Sequence, residues 1–207
     1  MRLYFVRHGE SEGNLGRRHQ KPDTPLSEAG RKQAEVLAER AKHLPLEVIL
    51  ASPYTRARAT AEVIAAATRL HVEVTEVLRE FKRPSEIEGK DTHDPDVMRV
   101  KALVREHFGD DAWRYSDEEN FFDLRKRIAH FLQEVSQRPE KHILVVSHGG
   151  MIKYTVAMIL FGDALTPELA RLFFEGIPMK NTGLTICERR EDRSWKLVTL
   201  NDHAHLG

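Results

Sequence analysis

Short apolar runs alternate with stretches of helical periodicity from Leu3 to Val74, and this alternation leaves few folds open. Leu3 to Val6 is an apolar run bounded by charge, which suits a strand covered on both faces. Ser27 then caps a helix with Glu28 near its positive end and Ala34, Leu37, Ala41 and Leu44 at helical spacing. Val48-Ile49-Leu50 gives a second strand. Ser52-Pro53 reads as an N-cap with proline at the first helical position of a segment running through Val63 to Ala67. Val72 and Val74 alternate in a third strand. The order strand, helix, strand, helix, strand predicts an α/β protein with a parallel sheet and helices on its faces.

Residues 81 to 116 change character. Lys82-Arg83-Pro84, Asp94-Pro95 and Gly109-Asp110-Asp111 surround one helix between Asp96 and Phe108, which reads as a cap or lid over the sheet. Ser116 and Glu119 have capping-box spacing, and Phe121, Leu124, Ile128, Phe131 or Leu132, and Val135 follow along one helical stripe. His142 to Val146 is a strongly apolar strand that ends in Ser147-His148-Gly149-Gly150 before a helix from Met151 to Phe161. Leu184 to Cys187 and Trp195 to Leu200 are two further strands joined by a charged turn. A chain of 207 residues without internal repeats is expected to form one domain, 1–207.

Lys and Arg number 32 and so do Asp and Glu, so no overall field draws the chain to nucleic acid or to an anionic membrane. Any anion must be gripped locally. The one cysteine, Cys187, lies in an alternating strand and has no partner for an internal disulfide. No signal-peptide pattern is present and no apolar run approaches the roughly 18 residues of a membrane helix, so a cytoplasmic protein is expected. Nothing in the sequence sets the oligomeric state.

Two strands share one design. Phe5-Val6-Arg7-His8-Gly9 and Val145-Val146-Ser147-His148-Gly149 each run from apolar residues through a polar one to His-Gly. In open parallel sheets, ligands sit at the carboxyl ends of strands, so both imidazoles reach one crevice if these strands are neighbours. Glycine after each histidine lets backbone approach a ligand closely. Imidazole attacks phosphorus and guanidinium offers a forked clamp for phosphate oxygens, so His8, His148 and Arg7 together point to phosphoryl transfer. Such a site needs more than one cation. Arg56 lies in the first turn of the helix after Ser52, at the same rim; by spacing alone it fits a phosphate pocket as well as a solvated surface. Arg58, about 200° away around the helix, reaches solvent.

With these residues in view, the chain resembles the histidine phosphatase superfamily, which includes the cofactor-dependent phosphoglycerate mutases and many small phosphatases. Arg7-His8-Gly9-Glu10-Ser11-Glu12-Gly13-Asn14 is similar to the family's opening signature, and Asp23 to Gly30 with Gln33-Ala34 resembles the segment that follows. Ser52 to Ala61, Leu78-Arg79-Glu80 and Ser147-His148-Gly149-Gly150 resemble its later motifs. The resemblance implies a three-layer α/β/α sandwich whose mostly parallel sheet has one antiparallel edge, supplied by the terminal strand pair. It further implies His8 as the nucleophile, Arg7, Arg56, His148 and Asn14 as the phosphate pocket, Glu80 as proton donor and then base, and no metal or other cofactor. The residues by themselves do not separate Glu80 from Glu76 or Glu86, nor say which histidine attacks.

His8 must be neutral to attack, with one ring nitrogen donating to a carbonyl, whereas His148 helps most when charged. A bell-shaped rate profile in mildly acidic to neutral solution is expected, and a flat profile between about pH 4 and about pH 9 would refute it. The substrate expected is a phosphorylated small molecule. After the acid motif this chain reads Phe81-Lys82-Arg83-Pro84 where many relatives have a Gly-x-Trp-Glu-Gly type segment, so Lys82 and Arg83 either meet a second anionic group or form a surface charge pair. Residues 15 to 22 lack the Phe-Thr-Gly-Trp segment of mutases, which favours hydrolysis over phosphoglycerate mutase-type transfer. Two readings of other classes are a zinc site built from His8, His148, His19 and Glu80, and a non-catalytic phosphate-binding module.

Overall fold

A computed structural model describes all residues from Met1 to Gly207. Six strands, β1 (Arg2–Arg7), β2 (Val48–Ala51), β3 (Val72–Val74), β4 (His142–Ser147), β5 (Leu184–Arg189) and β6 (Trp195–Asp202), form one sheet in the order β3-β2-β4-β1-β5-β6. β3, β2, β4 and β1 pair in parallel. β5 pairs antiparallel with β1 and β6 antiparallel with β5, so the reversed strand is the one next to the edge.

Seven α-helices accompany the sheet: α1 (Glu12–Leu15), α2 (Glu28–Ala41), α3 (Thr55–Thr68), α4 (Pro95–Glu106), α5 (Phe121–Ser136), α6 (Gly149–Phe161) and α7 (Pro167–Gly176). The period of two along the central strands divides the interior. Leu3, Phe5, Ile143 and Val145 pack with Leu124, Ile128, Phe131, Ile152 and Val156 of α5 and α6. Tyr4, Val6, Leu144 and Val146 pack with Leu37, Ala38, Ala57, Ala61 and Ile64 of α2 and α3. Three layers result, as the α/β/α expectation requires. Cys187 is fully buried in the first of these cores, and burial pushes its thiol up to about 12.

Several local readings need correction. The helix after β2 starts at Thr55 rather than behind Ser52, because the Ser52 hydroxyl is engaged with His148. Asn120, not Ser116, caps α5: its side chain accepts from the Phe122 and Asp123 N–H groups while Asp123 returns the bond to the Asn120 N–H. Glu119 is drawn away by two arginines. Ser27 caps α2 as expected, accepting from the Gly30 N–H. Gly9 is small for a different reason from the one its place after His8 suggests. Its α-carbon abuts the Gly30 carbonyl, and Gly30 in turn abuts the Glu10 backbone, so a methyl at either position would overlap main-chain atoms. α7 has no counterpart in the sequence reading.

Candidate active site

β1 and β4 are neighbours, and their register sets Arg7 opposite Ser147. One residue further on, the His8 N–H donates to the Ser147 carbonyl at 3.0 Å, and the two imidazoles stand with ring centroids 5.1 Å apart. β2 lies on the other side of β4 and ends at the same rim, so Ser52 and the first turn of α3 arrive beside them. His8 is 3 % exposed, His148 0 % and Arg56 3 %, so all three side chains are shielded from bulk water.

Each imidazole has a defined tautomer. His8 Nδ1 donates to the Gly9 carbonyl at 2.7 Å, which leaves its Nε2 lone pair to accept from Arg56 Nε–H at 3.1 Å. The second Arg56 arm donates from Nη2 to His148 Nδ1 at 3.2 Å, so His148 carries its proton on Nε2 and gives it to Ser52 Oγ at 2.7 Å. Burial holds both histidines well below the usual imidazole value, reinforced by Arg56 and Arg7 and, for His148, by His8. Burial and the neighbouring guanidiniums thus favour the neutral form of His148, and the charge that would help catalysis depends on a bound anion to offset them.

The guanidiniums are fixed by backbone. Arg56 Nη1 donates to the Lys21 carbonyl at 2.9 Å and Arg7 Nη1 to the Met179 carbonyl. Burial pulls Arg56 down to about 10 against an opposing push from Glu80. Arg7 Nε is buried without a partner, an unsatisfied donor in a cavity wall. Asn14 lines the same cavity and uses its Oδ1 to accept from the Ser11 N–H.

Glu80 is held at the start of α6. Its Oε1 accepts from the Phe81 and Met151 N–H groups at 3.1 and 2.8 Å, and its Oε2 from Gly150 N–H at 3.1 Å. The loop that carries it is locked from below. Ser147 Oγ donates to the Leu78 carbonyl, Arg127 Nη1 to the Val77 and Arg79 carbonyls, and Glu119 receives Arg79, Arg127 and the Lys82 N–H.

All eight residues singled out in the sequence line one cavity of about 490 Å³, or in the case of His148 lie directly behind its wall against Arg56. Lys82 is tied to Asp117 at 2.6 Å, while Arg83 lies over the Phe81 ring and meets no carboxylate. The sequence reading missed Ser52 as the partner of His148, Tyr54 packed edge-on against the same ring at 5.0 Å, and Asn181, whose Nδ2 donates to the His8 carbonyl. A Ser-Pro pair carries no signal beyond helix capping, so Ser52 was not recoverable from it. No three His, Cys, Asp or Glu side chains cluster closely enough to hold a metal, so the four-residue zinc arrangement has no geometric basis. No helix is long and apolar enough to cross a membrane.

Residues 3–203 match the sequence profile of the histidine phosphatase superfamily (branch 1). The uncharacterized phosphatase PhoE of Bacillus subtilis (strain 168) is 31% identical over 204 residues, 98% of this chain and 95% of that protein. A probable phosphoglycerate mutase GpmB of Enterobacter sp. (strain 638) is 33% identical over 215 residues, 100% and 95% of the two chains. Among solved structures, a mycobacterial glucosyl-3-phosphoglycerate phosphatase complexed with VO3 superposes with a TM-score of 0.80 at 28% identity, covering 97% of this chain and 99% of that one. The motifs, the sheet order and these matches agree, and the chain belongs to the histidine phosphatase superfamily.

Proposed function

We propose that this protein hydrolyses phosphate monoesters of small molecules through a phosphohistidine on His8, with Glu80 as general acid and then general base. The observation that carries the reading is the His8 tautomer: Nδ1 is committed to the Gly9 carbonyl, and the lone pair on Nε2 opens on a cavity whose lining includes Arg7 and Arg56. As Nε2 bonds to phosphorus, the ester P–O bond breaks and a proton on Glu80 passes to the leaving alkoxide. Glu80 Oε2 accepts only the Gly150 N–H, so its remaining lone pair can hold that proton. In the second half, the carboxylate takes a proton from water as the water oxygen bonds to phosphorus. The P–N bond then breaks, the electron pair returns to Nε2, and inorganic phosphate leaves.

Arg56 must turn its Nε–H from His8 to a phosphoryl oxygen, and the unpartnered Arg7 Nε is a donor for another. Asn14 supplies a further polar contact. A phosphate dianion beside His148 would favour the imidazolium that burial now suppresses. These groups supply the charge stabilisation that a divalent ion supplies elsewhere, so activity should survive chelators. Residues 81 to 116 act as the cover of the cavity, and their own small core of Ile87, Val97 and Val100 keeps them in shape.

The experiment is trapping. Brief exposure to a labelled phosphate ester should yield an acid-labile, base-stable phosphoenzyme that is absent in His8→Ala, with inorganic phosphate as product. Interconversion of 2- and 3-phosphoglycerate without net phosphate release would instead assign mutase chemistry. A stable fold that hydrolyses and traps nothing would leave only phosphate binding.

A further inference from the structure

Seven Lys and Arg side chains line the cavity against two carboxylates, Glu80 and Glu88, which is more positive charge than one phosphoryl group requires. Arg7 and Arg56 stand beside His8, and of the other five cations three are already engaged: Lys82 with Asp117, Arg18 with the Gly89 carbonyl and Lys153 with the Phe174 carbonyl. Arg83 and Lys101 are not: neither makes an ion pair.

His19 shares this wall and lies within the field of both Arg83 and Lys101. It is 7 % exposed, lines the cavity, and its Nε2 is buried with no partner, which is costly for a ring nitrogen unless a ligand completes it. Burial first, then the fields of Arg83 and Lys101, bring its pKa down to about 4, so the ring is neutral and one nitrogen remains free to donate or accept. The segment is rigidly built. His19 N–H donates to the Lys90 carbonyl, the Gly89 N–H to the His19 carbonyl, and the Thr92 N–H to the Arg17 carbonyl, while Gln20 accepts from Ser11 Oγ beside the His8 loop.

Resting on the phosphatase reading, we propose that His19, Arg83 and Lys101 form a second anion subsite in the same cavity, so that the preferred substrate carries a second acidic group, phosphate or carboxylate, on its leaving-group side. Arg83 is planar and stacked on Phe81, a pose suited to a two-oxygen acid, and Lys101 supplies a mobile point charge from α4. Glu88, the one carboxylate on that side, limits how much further negative charge the subsite takes.

The test uses matched pairs: 3-phosphoglycerate against glycerol 3-phosphate for a carboxylate, and fructose 1,6-bisphosphate against fructose 6-phosphate for a phosphate. Binding is measured by calorimetry on His8→Ala protein, and kcat/KM on the unmodified chain. The two-acid member should bind at least tenfold more tightly in one or both pairs. Lys101→Met and Arg83→Met should each reduce that ratio about tenfold, as loss of one charge-assisted contact does. His19→Leu should reduce it as well and His19→Gln restore it in part, with circular dichroism reporting the fold of each variant. Equal binding within both pairs, or a ratio that survives Lys101→Met and Arg83→Met together, overturns the subsite. Because binding is read on a protein that cannot turn over, preference without hydrolysis would break the phosphatase reading and keep the subsite. Hydrolysis without preference would do the reverse.

Discussion

Arg56 bridges the two imidazoles, its Nε 3.1 Å from His8 Nε2 and its Nη2 3.2 Å from His148 Nδ1. One planar group thus sets both lone pairs and the gap between the rings, a task for which a fork is suited and a point charge is not. Arg56→Lys should therefore lower kcat/KM for p-nitrophenyl phosphate about a hundredfold while leaving the thermal midpoint within a few degrees. Activity within threefold of the parent would show that the bridge does not matter.

Ser52 is the only side chain that receives the His148 Nε2 proton. Removing it in Ser52→Ala leaves a buried N–H unpaired, at about 1–3 kcal/mol, and frees the ring to change tautomer. A drop of about tenfold in kcat with little change in KM is expected from steady-state kinetics. Urea denaturation should show the accompanying loss of stability.

Gly150 is confined by Glu80. A β-carbon there would lie 2.5 Å from Glu80 Oε1 and closer still to the Phe81 ring. Gly150→Ala should expel the carboxylate from its N–H cradle and reduce turnover of esters with poor leaving groups at least tenfold, while aryl phosphates, which need less protonation, lose less. Equal losses for both ester types would count against Glu80 as the acid.

Glu119, with its side chain 11% exposed, holds Arg79 and Arg127 beneath the Glu80 loop. Glu119→Gln leaves two guanidiniums without their counter-charge, so a loss of about 3 kcal/mol in chemical denaturation is expected, in the range for breaking a buried pair. A change below 1 kcal/mol would mean that the network is replaceable.

His8, His148 and His19 all have folded-state values below that of a free imidazole, His19 at about 4. The unfolded chain then binds protons that the folded one refuses, so stability is full above about pH 6.5 and falls with decreasing pH, at about 1.4 kcal/mol per unit for each histidine. Urea midpoints from pH 7 to pH 4 should trace that decline, and orthophosphate should lessen it by favouring a charged His148. The same depression places the acid limb of kcat/KM set by His8 below the value expected of an ordinary imidazole. A limb centred near pH 6.5 would contradict the buried geometry.

The sequence by itself determined the layers and the cast of the site. Alternating apolar residues in Leu3 to Val6 and His142 to Val146 fix which side chains enter each core, because a strand has a period of two and both faces are covered. Ending those strands in His-Gly fixes that both imidazoles stand at a strand terminus with Arg7 beside the first, whereas Glu80 came only from the family resemblance of Leu78-Arg79-Glu80, since spacing does not separate it from Glu76 or Glu86. Local pattern could not reveal that β4 inserts between β1 and β2, for strand order is settled by which faces bury best against distant helices. From that insertion follow the 5.1 Å approach of His8 to His148 and the diversion of Ser52 from helix cap to imidazole partner, while Glu119 is captured by Arg79, forty residues away, and by Arg127 in place of a capping box with Ser116. In each case a polar side chain with a local use was taken by a buried partner far away in the chain, since an unpaired polar group costs more inside the protein than a cap gains at its surface.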